Sequence, residues 1–165
     1  MNKKYLYLII ITCLVVAIDQ LTKMSITMNF RLHESYPVIK DIFHITYVRN
    51  TGAAFGIFRD ANIVFRTLFF LSLPPIAMVV IFFLLKASPD KDVIQNTALS
   101  MVFAGALGNY IDRVRFQYVI DFLDFHYKQA WSYPAFNVAD MSIVCGVILL
   151  FYFMIKDEMK NKKSA

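Results

Sequence analysis

The sequence predicts an integral membrane protein, mainly α, with four transmembrane helices and a small extracytoplasmic β-sheet between helices 1 and 2. Three observations carry this. Hydrophobic residues make up 58% of the 165 positions and charged ones only 18%, whereas a water-soluble domain holds about 45–50% and about 25%. Four stretches are apolar over nearly the ~20 residues that a bilayer span requires. Between the first two, Phe43, Ile45 and Tyr47 alternate with His44, Thr46 and Val48, the period of two of a strand. Such apolar content excludes intrinsic disorder.

The spans are expected at about 5–24, 67–85, 93–113 and 136–155, with extracytoplasmic segments at about 25–66 and 114–135. Together they form one membrane-embedded domain over residues 1–165. The first span opens with Lys3 and Lys4 before an apolar run, as a cleavable signal peptide does. No small-residue cleavage site follows, so an uncleaved helix is the better reading. Pro74 and Pro75 predict a kink in the second span. Ala104 and Gly108 in the third allow close helix approach. The turn Asn50-Thr51-Gly52 ends the strand, and residues 53–58 are expected to return as a second one.

Charge sets the orientation. Lys3, Lys4, Lys86, Lys91, Lys156, Lys160, Lys162 and Lys163 crowd short flanks on one side, which predicts both termini in the cytoplasm. The net charge of +5 is therefore an orientation signal, and no nucleic-acid partner is expected. Cys13 and Cys145 lie in apolar runs, and the three histidines lack zinc-ligand spacing. No metal or cofactor is expected.

Polar residues in or beside the spans are the informative ones, because a charge at bilayer depth costs at least about 2.5–3.5 kcal/mol at a helix centre. Asp19 and Lys23 stand at i, i+4, which also suits a self-neutralising pair on one helix face. Asn50 and Gly52 serve equally as ordinary turn residues. Gly105, Asn109, Asp112 and Arg113 share a face of the third span by 3–4 spacing. Asn137 and Asp140 fit a helix capping box. Yet Asp121 and Asp140 flank the third and fourth spans at the same outer interface. Two carboxylates sharing a site keep one proton between them, the acid–base arrangement of an aspartic protease.

The motifs Asp19-Gln20-x-x-Lys23, Asn50-x-Gly52-Ala53-Ala54-Phe55, Gly105-x-x-Gly108-Asn109-x-x-Asp112-Arg113, Val119-x-Asp121-Phe122 and Phe136-Asn137-x-Ala139-Asp140 occur in this order. The chain resembles bacterial lipoprotein signal peptidase, or signal peptidase II, from its first span to its fourth. The resemblance implies a multi-pass aspartyl endopeptidase of the bacterial cytoplasmic membrane, with its active site near the outer leaflet. It implies removal of the signal peptide from a lipid-modified prolipoprotein, cut before the diacylglyceryl-modified cysteine. The implied catalytic pair is Asp121 and Asp140. Asp112 competes for that role, but Arg113 and Asn109 are local partners that would keep it ionised and structural. The apolar neighbours Val119, Ile120 and Phe122 would instead raise the pKa of Asp121. Asp19, Lys23, Asn50, Gly52, Gly105, Asn109, Asp112, Arg113, Asn137 and Ala139 are expected to bind substrate or support the site. Asp19 and Lys23 would brace the sheet against the first helix, and Trp131 and Tyr133 would anchor at the interface or form a lid. The expected partners are the prolipoprotein and membrane lipids, and the expected state is a monomer. Two alternatives stand beside this: a non-enzymatic polytopic protein with a polar cavity, such as a transporter or assembly subunit, and a transmembrane aspartyl protease acting on other helices.

Overall fold

A computed structural model describes residues 2–52, 62–127 and 131–164. The elements run α1 (Lys3–Asn29), β1 (Ser35–Ile39), β2 (Phe43–Asn50), α2 (Ile63–Ala87), α3 (Val93–Phe116), β3 (Val119–Tyr127), β4 (Trp131–Ser132) and α4 (Val138–Ser164). The return strand expected at 53–58 lies outside the described residues, as do Ala53, Ala54 and Phe55 of the second motif.

Among the described residues, three helices are long and apolar enough to cross a membrane: α1, α2 and the first 22 residues of α4. Only 6%, 11% and 17% of their most apolar stretches are buried within the protein, so their side chains need lipid around them. By this measure three of the four expected spans are supported. The exception, α3, is 24 residues long and so long enough at ~1.5 Å per residue, but its composition is more polar. The physical reason is its position. It packs against each of the other three helices, and Asn96, Ser100, Asn109 and Asp112 are all buried on it. A helix surrounded by protein can carry polar groups that a lipid-facing helix cannot.

Small residues let the bundle close. A Cβ on Gly105 would collide with the backbone oxygen of Ala139 and with Ile143. At Gly108 a Cβ would lie 2.9 Å from Asp19 Oδ2 and 3.1 Å from Ala139 Cβ. On α4, a Cβ at Gly146 would likewise lie 2.8 Å from Ala98 O of α3. The α2 helix runs continuously through Pro74 and Pro75. At the end of the bundle where α1 begins, Lys4 Nζ donates to Lys86 O and Ser88 O, each at 2.7 Å. The positive side chain thus satisfies carbonyls at the C-terminus of α2.

The strands form one antiparallel sheet in the order β1-β2-β3-β4. This corrects the expected placement between helices 1 and 2: half of the sheet comes from the segment between α3 and α4. The chain reaches β3 through Gln117, whose left-handed backbone (φ 63°) caps α3 with a bond to Arg113 O. A bulge in β2 shifts the register between Ile45 and Val48, so that Val48 pairs with Asp121 and Asn50 with Val119. Ile26 of α1 packs with Tyr47, Ile120 and Phe122, seating the sheet on the end of α1.

Gly105→Ala is expected to destabilise the protein by about 1–3 kcal/mol, because a backbone atom stands where the methyl would go. Thermal unfolding in detergent checks this; an unchanged midpoint would mean that α3 and α4 are further apart than described.

Candidate active site

The sequence-predicted residues converge on the C-terminal end of α3, from three helices and two strands. A cavity of about 520 Å³ opens there, lined by Asp121, Asp140, Asn50, Asn109 and Arg113 among others. Tyr133 and Phe136 form part of its wall, while Trp131 is exposed.

Asp140 stands in the first turn of α4 because of a reciprocal capping box. Its backbone N–H donates to Asn137 Oδ1 at 2.9 Å, and the N–H of Asn137 donates to Asp140 Oδ2 at 3.2 Å. The other oxygen, Oδ1, accepts from Asn109 Nδ2 at 2.7 Å. Asp121 stands on β3, where Asn50 Nδ2 donates to its Oδ2 at 3.0 Å and Asn137 Nδ2 to its Oδ1 at 2.7 Å. Asn137 therefore touches both carboxylates. Asn50 performs both roles left open by its sequence context, since its Oδ1 also accepts from Gly52 N–H at 3.0 Å to hold the turn. Burial pushes the pKa of Asp121 up to about 7, and the charge of Asp140 adds to the rise. The two asparagine bonds and the Lys23 charge offset it only in part.

Behind these residues lies a second charged group. Lys23 Nζ contacts Asp19 Oδ2 at 2.8 Å, Asp112 Oδ2 at 3.0 Å and Asn109 Oδ1 at 3.0 Å. An ammonium has three protons to donate, so all are used. The three charged residues are buried, each 1% exposed or less. Each acid then grips a backbone amide with an oxygen: Asp19 Oδ1 takes the N–H of Ala139 at 2.9 Å, and Asp112 Oδ2 takes the N–H of Ile120 at 3.1 Å. Those are the residues immediately before Asp140 and Asp121.

Two sequence readings change here. Asp19 and Lys23 do pair, but their pair is part of a buried triad that includes Asp112. The expected partners of Asp112, Arg113 and Asn109, are not its partners; Lys23, Ile120 N–H and Gln20 Nε2 (2.9 Å) are. Successive helix residues point about 100° apart, so Arg113 cannot fold back on Asp112. It reaches Gly52 O at 3.5 Å instead and lies 4.9 Å from the centroid of the Phe70 ring. Gln20 was not singled out as a site residue, yet its amide also lies 3.2 Å from Asp19 Oδ2 and 3.3 Å from Gly108 O. Its presence inside the first motif was the available signal.

Fold and site together define a membrane protein with paired carboxylates in a cavity at one end of a helical bundle. A family model described as signal peptidase (SPase) II matches residues 11–156. The lipoprotein signal peptidase of Syntrophus aciditrophicus is 47% identical over 160 residues, covering 96% of this chain and 99% of that protein. That of Clostridium tetani is 39% identical, covering 91% and 93%. Two solved structures, each described as a bacterial membrane enzyme, superpose with TM-scores of 0.82 and 0.81 at 35% identity. They cover 92% and 95% of this chain, and 88% and 99% of theirs. The chain belongs to the signal peptidase II family.

Lys23→Met leaves Asp19 and Asp112 buried without their counter-charge, and is expected to cost about 3–5 kcal/mol. Lower thermal stability in detergent at pH 7 checks this. A midpoint equal to wild type would show that the triad contributes nothing to the fold.

Proposed function

We propose that this protein is a membrane aspartyl endopeptidase that removes the signal peptide from lipid-modified prolipoproteins. The observation that carries the chemistry is the placement of Asp121 and Asp140 on one cavity, both touching Asn137. Family membership favours this over a non-enzymatic polytopic protein.

In the reaction, the scissile carbonyl lies between the two carboxyl groups. The ionised one takes a proton from water as the water oxygen attacks the carbonyl carbon. The protonated one hydrogen-bonds the carbonyl oxygen and later passes a proton to the leaving nitrogen. Which carboxyl starts protonated is a property of the coupled pair. No metal or cofactor has a part in these steps. Asn50, Asn109 and Asn137 hold the pair in position, and Arg113 supplies positive charge at the cavity wall. Gly52 shapes the turn, while Gly105 and Ala139 bring α3 and α4 together.

The wider reading follows from the same features. All four helices span the bacterial cytoplasmic membrane, with α3 as an interior span shielded by the others, in one domain that functions as a monomer. Both termini are cytoplasmic, which suits the lysines at the end where Lys4 meets the α2–α3 turn. The cavity then lies near the outer leaflet. The signal helix enters from the bilayer and the cut falls before the diacylglyceryl-modified cysteine, whose acyl chains stay in lipid.

Asp121→Asn and Asp140→Asn are each expected to lower prolipoprotein cleavage by about a hundred- to ten-thousandfold. The proposal fails if either variant, still folded, turns over near the wild-type rate. Cleavage of the same precursor without its lipid separates this reading from a general intramembrane aspartyl protease, which would accept it.

The pH dependence has a defined sign. The pair works with one proton, and Asp121 releases its proton as pH rises through about 7. The expected kcat/KM therefore declines on the alkaline side of about pH 7. A profile flat from pH 6 to 9 would contradict the shared-proton mechanism.

A further inference from the structure

Arg113 poses a problem for the proposed chemistry. It lines the same cavity as Asp121 and Asp140, and an arginine near carboxylates ordinarily closes on them in a strong, often bidentate, pair. Such a pair would occupy the oxygens that must reach water and the scissile carbonyl. Among the described residues Arg113 forms no ion pair with either acid. Its hydrogen bond to Gly52 O, at 3.5 Å, is long and too weak to explain why the guanidinium stays back.

What holds it lies on α2. The guanidinium carbon is 4.9 Å from the centroid of the Phe70 ring, within the ~6 Å over which a ring face attracts a cation. Phe70 and Leu85 are the buried residues of α2, so Phe70 is one of the few side chains of that lipid-facing helix turned into the protein. Phe70, Arg66, Arg113, Thr51 and Gln117 line a shallow gap between α2 and α3. The ring is buried, so its attraction for the cation is stronger than at a fully exposed site.

We propose that Phe70 is a positioning residue: its ring face parks the Arg113 guanidinium on the α2 wall of the cavity, leaving the oxygens of Asp121 and Asp140 free for substrate. This rests on the catalytic reading of those two acids. The charged groups facing the guanidinium are Asp112 of α3, Asp121 of β3 and Asp140 of α4, with Arg66 of α2 on the same gap. Asp112 is already held by Lys23, Gln20 and the Ile120 amide, so a released Arg113 moves toward Asp121 and Asp140. A closer cation favours their ionised forms, and the pair then loses its shared proton at lower pH.

The test replaces the ring in the full-length protein in detergent, with a lipid-modified prolipoprotein as substrate. Pentafluorophenylalanine at position 70 keeps the shape of the ring but inverts the charge of its face. Phe70→Leu removes the ring, and Phe70→Trp strengthens the attraction. For the pentafluoro and leucine proteins the expected result is a kcat about three- to thirtyfold lower, KM little changed, and the alkaline break of the pH profile moved to lower pH. Phe70→Trp is expected to keep wild-type values. In an Arg113→Gln background the fluorinated ring should make no further difference. An unmoved or raised break in the pentafluoro protein, with its thermal midpoint intact, overturns the proposal, as does an equal effect in the Arg113→Gln background. If Asp121→Asn or Asp140→Asn retains activity, the catalytic reading itself fails. A flat series at position 70 beside two inactive aspartate variants sinks only the role of Phe70.

Discussion

One ammonium group organises the cavity end of this helical bundle. Lys23 stands between Asp19 of its own helix and Asp112 of α3, with its third proton on Asn109. Taking three charges out of water is costly, and attraction repays that cost only when every donor and acceptor is used. Here the spare valences of the acids are spent on backbone. Asp19 fixes the amide before Asp140, and Asp112 fixes the amide before Asp121. The two carboxylates on the cavity are thus set by a pair of supporting carboxylates bridged by one lysine. Asn109 joins the layers, because it accepts from Lys23 and donates to Asp140. A shift anywhere in this triad is transmitted by hydrogen bonds to the paired acids.

The same economy explains the unequal helices. Three of them meet lipid along most of their length and have little beyond apolar side chains to show. The polar layer is carried by α3, where neighbouring helices replace lipid, and by the ends of α1 and α4. Glycine at positions 105 and 108 brings α4 and Asp19 close enough to α3 for the hydrogen bonds to form. Packing and polarity are therefore linked: without the small residues the triad could not be dry, and without the triad the dry interface would hold unpaired charge.

Much of this was legible in sequence. Helices α1, α2 and α4 show as long apolar runs, and the strand at 43–50 shows as an alternation. The site residues stand out because charge is rare in such runs. The strand β3 was not legible for a physical reason: its first four residues are buried on both faces, so no alternation marks it, and its partner β2 lies far away in sequence. The interior place of α3 was hard to read because a run free of charge still contains Asn96, Ser100 and Asn109. Partners were the least legible feature. Adjacent residues on a helix, such as Asp112 and Arg113, look like a pair in one dimension and diverge in three. Gln20 and Phe70 are ordinary residues whose roles arise from contacts with residues more than forty positions away.

The capping box of α4 has a further consequence. Asp140 is held by the first turn of an apolar helix, with its carboxylate closing the cap. Its height above the bilayer centre is therefore tied to where that helix starts. Moving it along the membrane normal by even one turn, about 5.4 Å, would mean unwinding the cap. In the proposed reaction the protein acts as a depth gauge, and the bond to be cut is selected partly by how far it stands from the lipid.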